Sequence, residues 1–178
     1  MLHDCYYYKN FYTKDECQDI LNYAKNNVSE WYKDRPCSGK NLNVFLVDTD
    51  VIENKLKKFF RVVEQTNYEN FGFNIYGKPF SVNFNVYEGD KNDYHFHVDQ
   101  ADPGMASDIK LTAILNLSPE PYEGGKFSMF LKEEKVLNEI DETGSLIIFP
   151  SFYFHRVSPV TKGTRITMSC WFYGPNWK

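Results

Sequence analysis

Histidine is scarce in this 178-residue chain, with only four copies, at positions 3, 95, 97 and 155. Any chemistry that needs imidazole must draw on those four. The four cysteines, Cys5, Cys17, Cys37 and Cys170, form no CxxC pair and show no zinc-site spacing. A zinc ribbon is thereby excluded, and reduced thiols in a cytoplasmic protein are expected. Basic charge is also in short supply, with 20 Lys and Arg against 24 Asp and Glu and a net charge of −4. No field is left to recruit phosphate backbones or anionic lipid, so neither nucleic acid nor a membrane is expected as a partner. The longest apolar runs, at 44–47 and 146–149, are far too short to cross a bilayer. The first six residues lack the basic stretch and apolar run of a secretory leader. Without repeats, low-complexity tracts or linkers, residues 1–178 read as one domain.

Aromatic residues, in contrast, are plentiful: 3 Trp, 13 Tyr and 15 Phe. That excess favours strands and aromatic-lined pockets. Thr13 and Glu16 have the spacing of a capping box, and Cys17, Ile20, Leu21, Ala24 and Val28 follow at helical intervals. A second helix is expected from about Thr49, presenting Ile52, Leu56, Phe59, Phe60 and Val63 to a partner. From residue 72 the apolar period falls to two. Val82, Phe84 and Val86 share one face, as do Ile109, Leu111, Ala113, Leu115 and Leu117. Further strands are expected at 127–131, 145–149 and 165–173, with His155 near the end of a strand-like stretch over 146–154. Gly-rich turns at 88–90, 102–104, 124–125, 143–144 and 162–163 punctuate them. The pattern predicts an α+β, mainly β domain, an antiparallel sandwich or barrel over 76–178 with supporting helices in 1–75.

His97 and Asp99 stand two residues apart, so an extended chain turns both side chains to one face. With His155 they make two imidazoles and a carboxylate, the protein part of a non-haem Fe(II) site with open positions. A hydrolytic zinc site could use the same groups, so the ligand types alone leave the metal open. A His-x-Asp pair alone is weak evidence, since this composition yields one by chance in about one chain in four. Arg165 strengthens it, lying ten residues after His155 beyond a turn-like connection. Arg165, Thr167, Ser169 and Trp171 share one strand face, a plausible pocket wall, while Ile166, Met168, Cys170 and Phe172 face a core.

Tyr87, Tyr94, His97 and Asp99, then Tyr122-Glu123-Gly124-Gly125, Phe149-Pro150, His155, Arg165 and Trp171, stand in an order that resembles the 2-oxoglutarate/Fe(II)-dependent dioxygenases, specifically the prolyl-4-hydroxylase-like branch. The resemblance covers about residues 80–175. It implies a double-stranded β-helix (jelly roll) with the metal at its mouth. It also implies catalytic, metal-binding roles for His97, Asp99 and His155. Arg165 would pair with the distal carboxylate of 2-oxoglutarate, a task suited to a planar two-pronged donor. Tyr87 would help to hold that co-substrate, Thr167 would add a hydrogen bond, and Trp171 would wall the pocket. Implied with them are Fe(II), 2-oxoglutarate and O2, with ascorbate as an optional reductant.

Simpler roles compete at several of these positions. Aromatics on strands usually pack, Gly124-Gly125 reads as a turn, and 132–135 reads as a solvated turn. His3 and His95 are expected at the surface, and Tyr94 beside the metal strand. The implied reaction is hydroxylation of a C–H bond, foremost of a prolyl residue in a peptide or protein, with 2-oxoglutarate converted to succinate and CO2. A small-molecule substrate stays open, because specificity resides in loops such as 34–41 and 100–107. A nucleic-acid demethylase is disfavoured, because Trp171 stands where such enzymes carry a second arginine. A non-catalytic cupin-like metal-binding module would need no dicarboxylate clamp such as Arg165.

Overall fold

The computed structural model describes residues 4–32, 40–89, 93–101, 105 and 107–177. In chain order its main elements are β1 (Tyr6–Tyr8), α1 (Lys14–Asn26), β2 (Glu30–Tyr32), β3 (Lys40–Asn41), β4 (Asn43–Asp48) and α2 (Thr49–Thr66). Then come β5 (Ser81–Glu88), β6 (Asp93–His97), β7 (Ser107–Asn116), β8 (Glu123–Gly124), β9 (Phe127–Phe130) and β10 (Glu134–Val136). The chain closes with β11 (Leu146–Pro150), β12 (Phe154–Val157), β13 (Val160–Lys162) and β14 (Thr164–Pro175). Cys37 and most of the 34–41 loop fall outside the described residues, as does the centre of the 100–107 loop.

Two antiparallel sheets make the body. The larger has the strand order β1-β11-β7-β14-β5-β4-β2 and the smaller β10-β9-β12-β6-β3; β8 and β13 form a separate ribbon. Strict alternation on the large sheet gives it two different faces. Leu111, Ala113, Leu115, Ile166, Met168, Cys170 and Phe172 pack in one core with the helices. Val44, Tyr87, Ile114, Ile147 and Phe149 turn the other way and meet Phe127, Met129 and Val157 of the small sheet in a second core. The site lies on this second side.

Both helices form for the reasons visible in their sequence. The Thr13 hydroxyl accepts from the Glu16 N–H at 3.2 Å while the Glu16 carboxylate accepts from the Thr13 N–H at 2.7 Å. Cys17, Ile20, Leu21 and Ala24 then form a buried stripe. On α2 the buried stripe is Ile52, Leu56, Phe59, Phe60 and Val63. Its last turn widens to a π-turn over Asn67–Phe71, which Gly72 closes at φ 68°. The Asn67 side chain clamps this exit, accepting from the Phe73 N–H and donating to the Phe73 carbonyl.

Three expectations need amendment. Residues 1–75 hold more than supporting helices: β1 pairs with β11 at one edge, and β4 and β2 extend the sheet beyond β5. Short strands beside helices leave little periodic signal. The stretch 146–154 is two strands, because Pro150 ends β11 and the turn at 151–153 carries the chain into the other sheet as β12. Finally, 132–135 is a turn only at first: Glu134 opens β10 and pairs with Arg156 across the sheet surface at 2.6 Å.

Candidate active site

The small sheet brings the two distant histidines together. His155 of β12 is the direct cross-strand partner of His97 of β6, and their ring centroids are 4.1 Å apart. Asp99 follows β6 by two residues, its backbone N–H held by the Ser151 carbonyl at 3.0 Å. Its carboxylate lies between the imidazoles, with Oδ1 3.6 Å from His97 Nε2 and Oδ2 3.5 Å from His155 Nε2. One donor atom from each residue lies within 4.8 Å of the others. Among the described residues, this is the one group of such side chains able to converge on a single ion.

Each imidazole is oriented from behind. His97 Nδ1 lies 2.7 Å from the His95 carbonyl and His155 Nδ1 3.0 Å from the Tyr153 carbonyl. A carbonyl only accepts, so Nδ1 donates a proton to it and Nε2 is the ring nitrogen turned towards the shared centre. Tyr94 stacks on His97 with ring centroids 3.5 Å apart, and Phe149 meets His155 edge-on at 4.9 Å. Burial pushes His155 down to about 4, overcoming the opposite pull of Asp99, so at neutral pH it is uncharged. Burial works against an ionised Asp99, but contacts with His97, His155 and Thr112 win and bring its carboxyl to about 2. The uncharged His155 and the ionised Asp99 are therefore ready for a divalent cation without loss of a proton.

Arg165 closes the inner end of the same pocket. It is 2% exposed, and its Nε and Nη1 atoms have no hydrogen-bond partner. The guanidinium sits 5.2 Å from the centre of the Tyr87 ring, which burial and the Arg165 charge pull in opposite directions; burial prevails and the phenol rises to about 12. A buried guanidinium with idle N–H groups is costly unless an anion arrives to meet it. Its two-pronged donor set matches a carboxylate. Gly125 makes room for it: a Cβ there would lie 2.9 Å from Arg165 Cδ, at a φ of 58° that side chains rarely adopt.

Tyr87, Thr167 and Trp171, expected from the sequence, line this pocket together with His97, Asp99, His155 and Arg165. His95 stays outside, exposed and beside Asp93. Two lining residues escaped the sequence reading. Thr112 donates from Oγ1 to Asp99 Oδ2 at 2.7 Å, and Asn85 donates to the Ser169 hydroxyl at 2.9 Å. Their signal was parity: Thr112 stands between Leu111 and Ala113, and Asn85 follows Phe84, so each falls on the face opposite the core under the helices.

The segment 82–173 matches the model of the 2OG-Fe(II) oxygenase superfamily. A PKHD-type hydroxylase of Xylella fastidiosa (strain 9a5c) is 39% identical over 100 residues, which cover 49% of this chain and 42% of that protein. One of Aliarcobacter butzleri (strain RM4018) is 28% identical over 169 residues, covering 88% of this chain and 71% of that protein. The first match thus spans less than half of the relative's length. Among solved structures, a Pseudomonas putida prolyl-4-hydroxylase superposes with a TM-score of 0.74 at 18% identity, covering 98% of this chain and 94% of that one. A Trichoplax adhaerens prolyl hydroxylase gives 0.73 at 18% identity over 96% and 83%. At such identities the likeness is one of fold, that of the mainly β, two-sheet body described above. With the family model covering more than half of the chain, and a two-histidine, one-carboxylate centre inside it, this protein belongs to the 2OG-Fe(II) oxygenase superfamily.

Proposed function

We propose that the protein is a 2-oxoglutarate-dependent dioxygenase that hydroxylates a C–H bond of a prolyl residue in a peptide or protein. Overall, substrate, 2-oxoglutarate and O2 give hydroxylated substrate, succinate and CO2, with one oxygen atom in succinate and the other in the new hydroxyl. The observation that carries this reading is the meeting, in one pocket, of the His97–Asp99–His155 cluster and a buried arginine whose Nε and Nη1 lack partners. A binding site for a metal alone has no use for the second feature. The hydroxylase names of the relatives and the prolyl hydroxylase folds support the substrate class; one of those neighbours was solved with a peptide fragment of hypoxia inducible factor.

His97 and His155 would hold iron through Nε2 and Asp99 through a carboxylate oxygen. Three protein donors would leave further positions on the metal for co-substrate and oxygen. When bound, the Fe(II) supplies the activation of O2 that C–H hydroxylation requires. Arg165 would pair with the distal carboxylate of 2-oxoglutarate, and the Tyr87 hydroxyl and Thr167 would complete its setting. The rings of Tyr94, Phe127 and Trp171 exclude water from the pocket walls. A succinate assay with proline-containing peptides tests the proposal, with His97→Ala as the inactive control. Peptide-dependent succinate in wild type and none in the variant are expected. Succinate release that survives His97→Ala would refute the assignment, and indifference to every prolyl peptide would refute the substrate class.

A further inference from the structure

A groove of about 400 Å³ opens beside the metal pocket and shares Trp171 with it. Tyr76, Phe80, Asn83, Met105 and Tyr173 also line its wall. Three of these hold large apolar side chains in solvent: Phe80 is 99% exposed, Tyr76 62% and Met105 46%. Single exposed apolar residues are ordinary, but a cluster rimming a cleft marks a binding surface. The backbone below the two aromatics is also held in place. The Tyr76 N–H donates to the Tyr173 carbonyl and the Phe80 carbonyl accepts from the Thr49 N–H, both at 2.8 Å. Gly174 lets this segment lie against β14, since a Cβ there would fall 2.0 Å from the Asn74 carbonyl oxygen. Anchored backbone therefore presents two aromatic rings outward at the mouth of the site.

Charge narrows the occupant. Among the described lining residues Lys78 has the only formal charge, and it is spent in an ion pair with Glu53 of α2. A free amino acid would bring an ammonium and a carboxylate into a groove that offers neither a partner, which is unfavourable. A peptide segment brings no such charges. Its amide groups match the Asn83 side chain, which both donates and accepts.

We propose that this groove binds the residues that flank the hydroxylated one in a polypeptide substrate, with Phe80 and Tyr76 selecting uncharged, apolar or aromatic side chains there. The proposal rests on the oxygenase reading for its place beside the reacting position, but the binding itself can be measured without turnover. Proline-centred peptides with Leu or Phe flanks, the same peptides with Asp or Lys flanks, and free proline serve as probes. Calorimetry reads binding and succinate release reads KM, for wild type, Phe80→Ser and Tyr76→Ser/Phe80→Ser; the removed side chains are exposed, so the fold is not at stake. Apolar-flanked peptides should bind wild type about tenfold more tightly than charged ones, and the double variant should lose that preference with a KM raised about tenfold. The anaerobic Fe(II)–2-oxoglutarate absorption should be the same in all three proteins. Equal binding of every peptide set, an unchanged KM in the double variant, or free proline turned over as well as the peptides would overturn the proposal. Absence of the Fe(II)–2-oxoglutarate absorption in wild type would instead overturn the oxygenase reading, and calorimetry would still decide the groove.

Discussion

Asp99 shows how much one side chain depends on its supporters. It is nearly enclosed, and its Oδ2 accepts the Thr112 hydroxyl while Oδ1 faces His97. Thr112→Val keeps the shape and removes that donor, freeing the carboxylate to turn. Fe(II) affinity should fall about 10–100-fold, the usual cost of losing such an outer partner, and Thr112→Ser should restore it. Equal affinity in the valine variant would show that Asp99 needs no such anchor. Tyr87 supplies a pH test. Burial raises its phenol from 10.0 to about 12, so the folded state holds that proton more tightly than the unfolded chain. The resulting stability is complete below pH 10 and is lost as pH rises through about 12. An ultraviolet titration should therefore show a late-ionising tyrosine that Tyr87→Phe removes, leaving Tyr12, which burial also raises to about 12. A late step unchanged by Tyr87→Phe would mean that the phenol is not buried as described. At this scale the sequence was a good guide where residue types are rare. Four histidines left few choices, whereas Thr112 and Asn85 belong to common types that only strand pairing could single out.

Strands, more than loops, set the geometry of the site. The His155–His97 and Arg165–Tyr87 cross-strand pairs bring the two imidazoles, the guanidinium and the phenol to one pocket by register alone. The Gly124-Gly125 pair at the end of β8, at φ 74° and 58°, fits against β13 and the Arg165 stem. Gly125→Ala would force a side chain into that contact and a left-handed backbone. About 1–2 kcal/mol of stability should be lost, together with affinity for 2-oxoglutarate, as read by thermal melts with and without the co-substrate. A variant equal to wild type in both would show that Arg165 has room to spare. The buried stripes of both helices and the cap of α1 were legible, because capping and 3.6-residue periodicity are local, but Val28 falls beyond the end of α1 and the π-turn after α2 left no signal. The short strands β1 to β4 were not, since a strand of two to six residues gains its stability from partners far away in sequence. Pro150 was visible as a residue, but only the sheets reveal that it marks the crossing from one to the other.

For the whole molecule, the scarcities of the sequence carry over into the structure. Among the described residues no helix is long and apolar enough to cross a membrane, and Cys5, Cys17 and Cys170 are free thiols. The aromatic excess divides between the core under the helices, the lining of the site and the exposed rim at Tyr76 and Phe80. With a net charge of −4 there is no long-range attraction for a dianion, so on the proposed reading Arg165 would capture one locally. The central claim is that the His97–Asp99–His155 cluster and Arg165 form one site for Fe(II) and 2-oxoglutarate. Anaerobic titration of the protein with Fe(II) and then 2-oxoglutarate tests it most directly, through the visible absorption of the co-substrate bound to the metal. Saturation at one equivalent of each is expected in wild type. His97→Ala should abolish the band, and Arg165→Ala should keep iron binding while demanding at least about tenfold more 2-oxoglutarate. Iron bound without the band, or a band that survives His97→Ala, would contradict the account.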